Sequence, residues 1–268
     1  MTSTAHDQGS PLQGDLVLMY HAIEGPAAAP AGADPHYTVS GERFAAQLDW
    51  MVAQGLRVCS ARDGLLIKSA EPQVWIGFDD GDASNYDNAL PILSERGLTA
   101  DFFINSANVG QPGFVSWAQL REMVAAGMSI QSHGHTHTYF TAHDAVQLSA
   151  ELRRSKAEIE DKLGIEVSLL APPGGRCPPR LLELAEQCGY RWVLGSAPGR
   201  LLRGGRGILP RVAVTSQHQV THLAGWLQPQ SRSLAKLRLR YQLLAAAKRV
   251  LGDRRYEQWR GRLLGGAM

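Results

Sequence analysis

The sequence is poor in cysteine and has no long hydrophobic run. Its three cysteines, Cys59, Cys177 and Cys188, are too few and too scattered for a disulfide framework or a thiolate zinc site. No stretch approaches the ~18 apolar residues that a membrane span needs, and residues 1–14 lack the apolar core of a secretory signal. These absences predict a cytoplasmic protein with reduced thiols.

The sequence also lacks a strong net charge. At +2 it gives no electrostatic sign of nucleic-acid binding, so we expect no nucleic-acid partner. The basic residues concentrate near the end, where residues 232–262 hold ten Lys or Arg against Asp253 and Glu257. We predict a basic helical extension over residues 229–268. It either makes weak contact with an anionic membrane surface or, more simply, packs its leucines against the rest of the protein.

Short apolar runs alternate with segments of helical period, which is the pattern of repeated βα units. We interpret residues 1–14 as a flexible tail and residues 15–228 as one domain. Helices are predicted after the N-cap Ser40 and over 88–96, 116–127, 144–163 and 179–188, with His218 and His222 on a further helix. Strands are predicted at 15–20, 56–59, 74–78, 100–104, 129–132, 168–170, 192–194 and 212–214.

Polar residues follow many of these strands, mostly at their carboxyl ends. A barrel gathers all such ends on one rim, whereas an open sheet brings together only those beside its switch point. The pattern therefore favours a distorted α/β barrel of parallel strands. The residues concerned are His21, Asp79, Asp80, the segment 133–137, the segment 172–175 and Arg211.

Three histidines within five residues, His133, His135 and His137, form the strongest local signal. Where the backbone turns, the first and third can converge on one ion while His135 points elsewhere; in an extended segment all three would share a face. A polar loop with ordinary hydrogen bonds is the simpler alternative.

The adjacent acids Asp79 and Asp80 could complete such a site. Two carboxylates beside a buried strand repel each other unless a cation or a hydrogen-bond network offsets the repulsion. One acid can bind the ion while the other remains a base. A solvated Asp-Asp-Gly turn is the alternative, but it fits poorly after a fully apolar strand. Two His and one carboxylate leave positions open for water and substrate, which indicates metal-assisted hydrolysis.

These residues resemble the polysaccharide deacetylases that carry the NodB homology domain. The family's T-F-D-D-G motif is similar to residues 77–81, its S-H-x-x-x-H motif to Ser132, His133 and His137, and its A-T-F-F-V strand to residues 100–104. The resemblance covers roughly residues 16–214 and implies a distorted (β/α)7-type barrel. It also implies that Asp79 is the general base and that Asp80, His133 and His137 bind a divalent metal, usually zinc, without His135.

The resemblance is weaker at the remaining positions. The motif R-P-P-Y/F-G stands here as A-P-P-G-G over residues 171–175, so the amide of Gly174, next to Pro173, could donate to the oxyanion. Because the motif's arginine is missing, Arg176 or Arg211 could orient Asp79 instead, and Arg211 is also a candidate for binding the substrate. Trp192 is a candidate sugar platform, with Trp117 and Tyr139.

No clear copy of the family's late L-H-D motif is present, so the general acid must come from elsewhere. The opening Met19-Tyr20-His21 resembles the M-Y-H of the branch that includes the poly-N-acetylglucosamine deacetylases, which makes His21 the candidate; a structural role for His21 is equally open, and His218 and His222 are weaker candidates. The resemblance implies an N-deacetylase of amino sugars. A non-sugar amide, an O-acetyl ester or a non-catalytic carbohydrate-binding barrel are the alternatives.

Overall fold

The computed structural model describes residues 16–25, 33–67, 72–201 and 207–251. Nine strands form one curved sheet in which every pairing is parallel, in the order β10-β9-β8-β7-β6-β5-β1-β11, with β4 beside the first half of β5. The strands are β1 Leu16–Tyr20, β4 Arg57–Cys59, β5 Gln73–Phe78, β6 Asp101–Ile104, β7 Ser129–Ser132, β8 Leu169–Leu170, β9 Trp192–Leu194, β10 Ile208–Leu209 and β11 Val212–Ala213. The predicted parallel α/β architecture is confirmed.

The two edge strands of the sheet meet, but no strand pairing joins them among the described residues. Strands β10 and β11 lie at opposite ends of the strand order. Only Pro210 and Arg211 separate them in the chain, so the two edges of the sheet must meet there. Proline has no N–H to give to a ladder, which is consistent with an unpaired seam at this point. The barrel is therefore distorted, as expected.

Alternate strand residues fill two cores. One set points into the barrel and includes Val17, Trp75 and Phe103, and the other points towards the helices and includes Leu18, Ile76 and Phe102. Both faces of the strands are thus buried, which explains why their sequences are continuous apolar runs and not alternating ones. The carboxyl ends of the strands are left as the rim on which polar residues can gather.

Helices other than α2 cover the outer face of the sheet, and capping residues start several of them. Ser40 caps α1, while Ser116 and Asp144 form capping boxes at α4 and α5; Gly164 ends α5 with a φ of 66°. The helices are α1 Gly41–Ala53, α2 Ala61–Leu66, α3 Leu90–Ser94, α4 Trp117–Ala125, α5 Ala145–Leu163, α6 Leu181–Gln187, α7 Val220–Leu227 and α8 Arg232–Leu251.

Among the α-helices and strands, four short elements escaped the sequence analysis: α2, the strand β10, and the two-stranded parallel sheet of β2 Ala22–Glu24 and β3 Thr38–Ser40. Each is six residues or fewer, which is too short to show a period. Helix α2 contains Gly64, and a Cβ there would lie 2.0 Å from Nε1 of Trp75. The glycine that hides the helix in the sequence is thus what lets the helix approach β5.

The predicted basic extension begins as a helix, α8, and residues 252–268 lie outside the described residues, as does the predicted tail 1–14. The proposed domain boundaries remain predictions. No helix within the described ranges combines the length and apolar character needed to cross a membrane.

Asp101, at the start of β6, is a buried acid outside the rim. Its carboxylate accepts hydrogen bonds from the amides of Ala61 and Arg62 at the start of α2. Burial nevertheless raises the pKa of Asp101 from 3.8 to about 7. The folded state therefore binds a proton that the unfolded state has already released, so this contribution to stability is complete below about pH 4 and is lost as the pH rises towards 7.

We expect Asp101→Asn, which keeps an acceptor oxygen but cannot ionise, to gain stability relative to wild type as the pH rises from 4 to 8. The difference should reach at most about 4 kcal/mol, because one pKa unit corresponds to about 1.4 kcal/mol. Urea unfolding at a series of pH values measures it, with Asp87→Asn, an exposed site, as the control. A constant difference between Asp101→Asn and wild type would contradict the prediction.

Candidate active site

The site is built where β5 ends. The amide of Asp79 donates to the carbonyl of Tyr20 at 3.0 Å, which extends the β1–β5 pairing by one step and places both strand ends together on the rim. Asp80 then turns into the left-handed region with a φ of 78°, and the same holds for His137 at 60°. These are the only two non-glycine residues with positive φ in the described ranges. Such strained conformations concentrate at functional sites.

Asp80, His133 and His137 converge on one point. Oδ1 of Asp80 lies 3.2 Å from Nε2 of His133 and 3.1 Å from Nε2 of His137, and all three ligand atoms lie within 4.8 Å of one another. Burial raises the pKa of Asp80, but hydrogen bonds from the two histidines outweigh it and hold the pKa well below 3.8. One oxygen and two imidazole nitrogens form the donor set of an open zinc-type site.

A second contact fixes the tautomer of His133. Its Nδ1 lies 2.7 Å from the carbonyl oxygen of Ala171 and must donate to it, so a neutral ring leaves Nε2, which is directed at Asp80, free to bind a metal. This is the usual arrangement around a metal-binding histidine. With no metal bound, only a protonated ring can donate from Nε2 to Asp80. His135 points away from the cluster and instead contacts Ser106 and Glu158 through Nδ1, at 2.7 and 3.4 Å. The residues present therefore fit a divalent metal that excludes His135.

Asp79 is held apart from this cluster by a buried arginine. Arg211 donates to both carboxylate oxygens of Asp79 at 2.7 and 2.8 Å and to the carbonyl of Gly195 at 2.8 Å. Burial raises the pKa of Asp79, but the charges of Arg211 and His133 and the Arg211 hydrogen bonds reverse the shift and lower the pKa below 3.8. The carboxylate is thus ionised and fixed in orientation.

Two of the sequence expectations need correction here. Arg211 has no exposed surface and directs its donors at Asp79 and Gly195, so it is placed to orient Asp79 and cannot reach a substrate. Trp192 lies at the amino end of β9, in register with Leu169, and packs into the barrel core. It is therefore at the wrong end of its strand for a sugar platform. The predicted strand over residues 192–194 already placed Trp192 at the amino end, so the sequence contained the signal against this role.

His21 follows β1 on the same rim. Burial lowers its pKa below 6.5, while the charges of Asp80 and Asp79 act to raise it. Its ring packs against the ring of Tyr37 with centroids 4.6 Å apart, and its Nδ1 is buried without a hydrogen-bond partner among the described residues. A buried, unpaired imidazole nitrogen beside two carboxylates is costly, which is typical of a group kept for function.

A short π-helix, Asn85–Ala89, holds the His21 backbone and escaped the sequence analysis. Asn85 donates to the carbonyl of His21 at 2.7 Å, and Asn88 donates to the carbonyl of Ile23 at 2.8 Å. Ser84 accepts from the amide of Ile23 at 3.1 Å. The loop that carries Asp79 and Asp80 is therefore tied to the segment that carries His21.

The loop of residues 172–175 lies beside the histidines. Gly174 has a φ of 58°, and a Cβ there would lie 2.6 Å from the ring of Tyr139. Tyr139 thus fills space next to the position where the related motif carries Tyr or Phe. The guanidinium of Arg176 lies over the Tyr139 ring, 5.0 Å from its centre. Arg176 therefore supports Tyr139, and it is Arg211 that holds Asp79.

The fold is an α/β barrel, and its rim carries two histidines and one aspartate that could hold a metal ion. Comparisons with known proteins point to one class of enzyme. The family profile described as polysaccharide deacetylase matches residues 67–193. A Bacillus subtilis protein, YxkH, which carries a provisional polysaccharide deacetylase name, is 28% identical over 205 residues, which is 74% of this chain and 71% of the relative. Over these residues the chain is similar to polysaccharide deacetylases, which are carbohydrate deacetylases.

Two further proteins are similar to this chain, one by sequence and one by structure. The poly-beta-1,6-N-acetyl-D-glucosamine N-deacetylase of Staphylococcus aureus is 31% identical over 110 residues, which span 37% of this chain and 38% of that enzyme. The structure of IcaB from Ammonifex degensii superposes with a TM-score of 0.71 at 26% identity, covering 82% of this chain and all of that one. The predicted barrel is thus a known fold of this family.

We expect Arg211→Gln to lower the free energy of unfolding by roughly 3–5 kcal/mol, because it leaves the Asp79 carboxylate buried without its partner. The double variant Arg211→Gln with Asp79→Asn should recover most of that loss. Urea unfolding measures all three proteins, with Arg62→Gln as an exposed control. Equal losses in the single and double variants would show that the ion pair is not the cause.

Proposed function

We propose that this protein is a metal-dependent hydrolase that removes N-acetyl groups from amino sugars of a glycan or glycan precursor. The observation that carries the proposal is the division of the two adjacent acids. Asp80 faces His133 and His137, whereas Asp79 faces Arg211. One carboxylate is thereby available as a metal ligand and the other as a base.

Asp80, His133 and His137 would hold a divalent metal, most simply zinc. When bound, such an ion polarises the acyl carbonyl and lowers the pKa of water towards ~7. Asp79 then acts as general base and takes a proton from the attacking water. Arg211 prevents the Asp79 carboxylate from rotating towards the histidines, because both of its oxygens are engaged at 2.7 and 2.8 Å.

The reaction needs two further groups: one donates to the negatively charged oxygen that forms from the acyl carbonyl, and the other protonates the departing amine. We assign the oxyanion donor to the amide of Gly174, beside Pro173 in a loop that the carbonyl of Pro172 braces by accepting from Gly175 at 2.9 Å. We assign the general acid to His21, which donates a proton to the departing amine nitrogen. Its segment is anchored to the base by Asn85, so the acid and the base keep a fixed separation.

The proposed substrate class is supported by the name of one relative and by an aromatic side chain on the rim. The S. aureus relative is named for poly-beta-1,6-N-acetyl-D-glucosamine, which supports an N-acetylated amino sugar here. Tyr139, half-buried beside Gly174, replaces Trp192 as the aromatic platform on which a sugar face can stack. An O-acetyl ester or a non-sugar amide would use the same site. A non-catalytic carbohydrate-binding barrel is the third candidate, but it would not need Asp79 held apart from the ligand cluster.

We expect stoichiometric zinc in the purified protein and chelator-sensitive release of acetate from N-acetylglucosamine oligomers, restored when zinc is added back. Asp79→Asn should retain the metal and lose turnover by ~10²- to 10⁴-fold, whereas Asp80→Asn should lose the metal as well. Metal analysis and acetate assay measure both, and Asp87→Asn serves as control. Full activity in Asp79→Asn would remove Asp79 from the mechanism.

His21→Gln should separate the two proton-transfer roles. An amine leaves poorly without a proton donor, whereas a nitrophenolate leaves without help. We therefore expect His21→Gln to lose roughly 10²-fold or more on the N-acetyl substrate and much less on 4-nitrophenyl acetate. Asp79→Asn should lose both activities. If His21→Gln loses both equally, His21 has a structural role and the general acid lies elsewhere.

A further inference from the structure

A cavity that is open to solvent, with a mainly apolar floor and polar side chains at its margin, lies between α7 and α8, away from the candidate metal ligands. Its volume is about 260 Å³, and its polar lining comes from His218, His222, Ser233, Lys236 and Arg240. None of these side chains is a carboxylate. No carboxylate among the described residues forms an ion pair with Lys236 or Arg240, and the first five turns of α8 contain no acid.

The histidines of this cavity are placed as hydrogen-bond donors. Nδ1 of His218 accepts from the amide of Thr215 at 3.0 Å, and Nδ1 of His222 accepts from the amide of Gln219 at 3.1 Å. Each neutral ring must therefore carry its proton on Nε2. A protonated Nε2 cannot bind a metal, so the pair does not form a second metal site. It can donate to an anion.

Two apolar side chains shape the cavity. Trp226 is buried and meets the His218 ring edge-on with centroids 4.9 Å apart, and Leu237 is half-buried. Trp226 fixes the position of the His218 ring from one side. An anion here would face two ring N–H groups, a hydroxyl, an ammonium and a guanidinium, and hydrogen bonds from charged donors are about twice as strong as those between neutral groups.

The cavity is on the same rim as His21. His218 follows β11, and β11 pairs in parallel with β1, whose end carries His21. Between the two sites lie Tyr37, with its ring 4.6 Å from that of His21, and His36, with its ring 4.9 Å from that of Tyr37. A single extended ligand could therefore reach both places.

We propose that the cavity between α7 and α8 binds the phosphate group of a phosphate ester. The ester is either a soluble sugar phosphate or a phospholipid head group, since both present the same anion. That this group belongs to the molecule that is deacetylated rests on the proposed function, whereas phosphate binding itself does not.

The test is an NMR titration of the metal-loaded, full-length protein with inorganic phosphate and with N-acetylglucosamine 1-phosphate, followed on the ring protons of His218 and His222. These signals report the cavity and not the metal cluster. We expect saturable shifts, and a rise in the pKa of His218 from its low value of about 4, which burial and the neighbouring His222 and His36 produce. Lys236→Gln and Arg240→Gln should each weaken binding about tenfold.

Arg238→Gln is the matched control, because it removes the same charge from the same helix but does not line the cavity. Sedimentation with phosphatidylglycerol vesicles, compared with phosphatidylcholine vesicles, shows whether the phosphate belongs to a lipid head group or to a soluble ester. A head-group site predicts vesicle binding that Lys236→Gln and Arg240→Gln weaken and Arg238→Gln does not. A soluble ester predicts saturable shifts without vesicle binding.

Absence of saturable shifts at both rings, or equal loss in all three variants, would overturn the proposal. Thermal melts establish that each variant is folded. Acetate release is measured separately on the same wild-type preparation. If acetate release fails while the ring shifts saturate, the proposed function falls and the phosphate site stands.

Discussion

The buried ion pair between Asp79 and Arg211 is the contact on which the rest of the site depends. Arg211 lies at the seam where the two edges of the sheet meet, and its guanidinium is 5.3 Å from the centre of the Phe103 ring inside the barrel. A buried guanidinium needs acceptors for its donors. Arg211 finds these acceptors in the carboxylate of Asp79 and in the carbonyl of Gly195, which follows β9. One side chain thus links the seam, the proposed base and the end of a third strand.

This pair also explains why two adjacent acids behave differently. With Asp79 turned towards the barrel interior, the chain must reverse direction at once to bring Asp80 to the histidines, and the left-handed backbone of Asp80 achieves that reversal. His137 makes the corresponding reversal on the opposite side. Backbone strain at two of the three ligand residues is thus the cost of a cluster that the chain must approach from both β5 and β7.

Strong local signals in the sequence were sufficient to predict the architecture and the convergence of Asp80, His133 and His137. Apolar runs, caps and the spacing of His133 and His137 predicted most elements within a few residues, because each depends on a local pattern. Whether Arg176 or Arg211 faced Asp79 could not be decided, since that depends on how the sheet closes. The same limit hid the contacts of Asn85 and Asn88, which join residues more than sixty positions apart.

Gly174 and Tyr139 have a consequence for the divergence of this family. The Tyr139 ring occupies the volume that any side chain at position 174 would need, so the two positions cannot both be large. During evolution, an aromatic side chain at position 174 could be replaced by one at position 139 only through an intermediate protein with no aromatic ring at either position. Residues 139 and 174 should therefore change as a coordinated pair among homologues, and grafting one without the other would empty or overfill the space beside the loop 172–175.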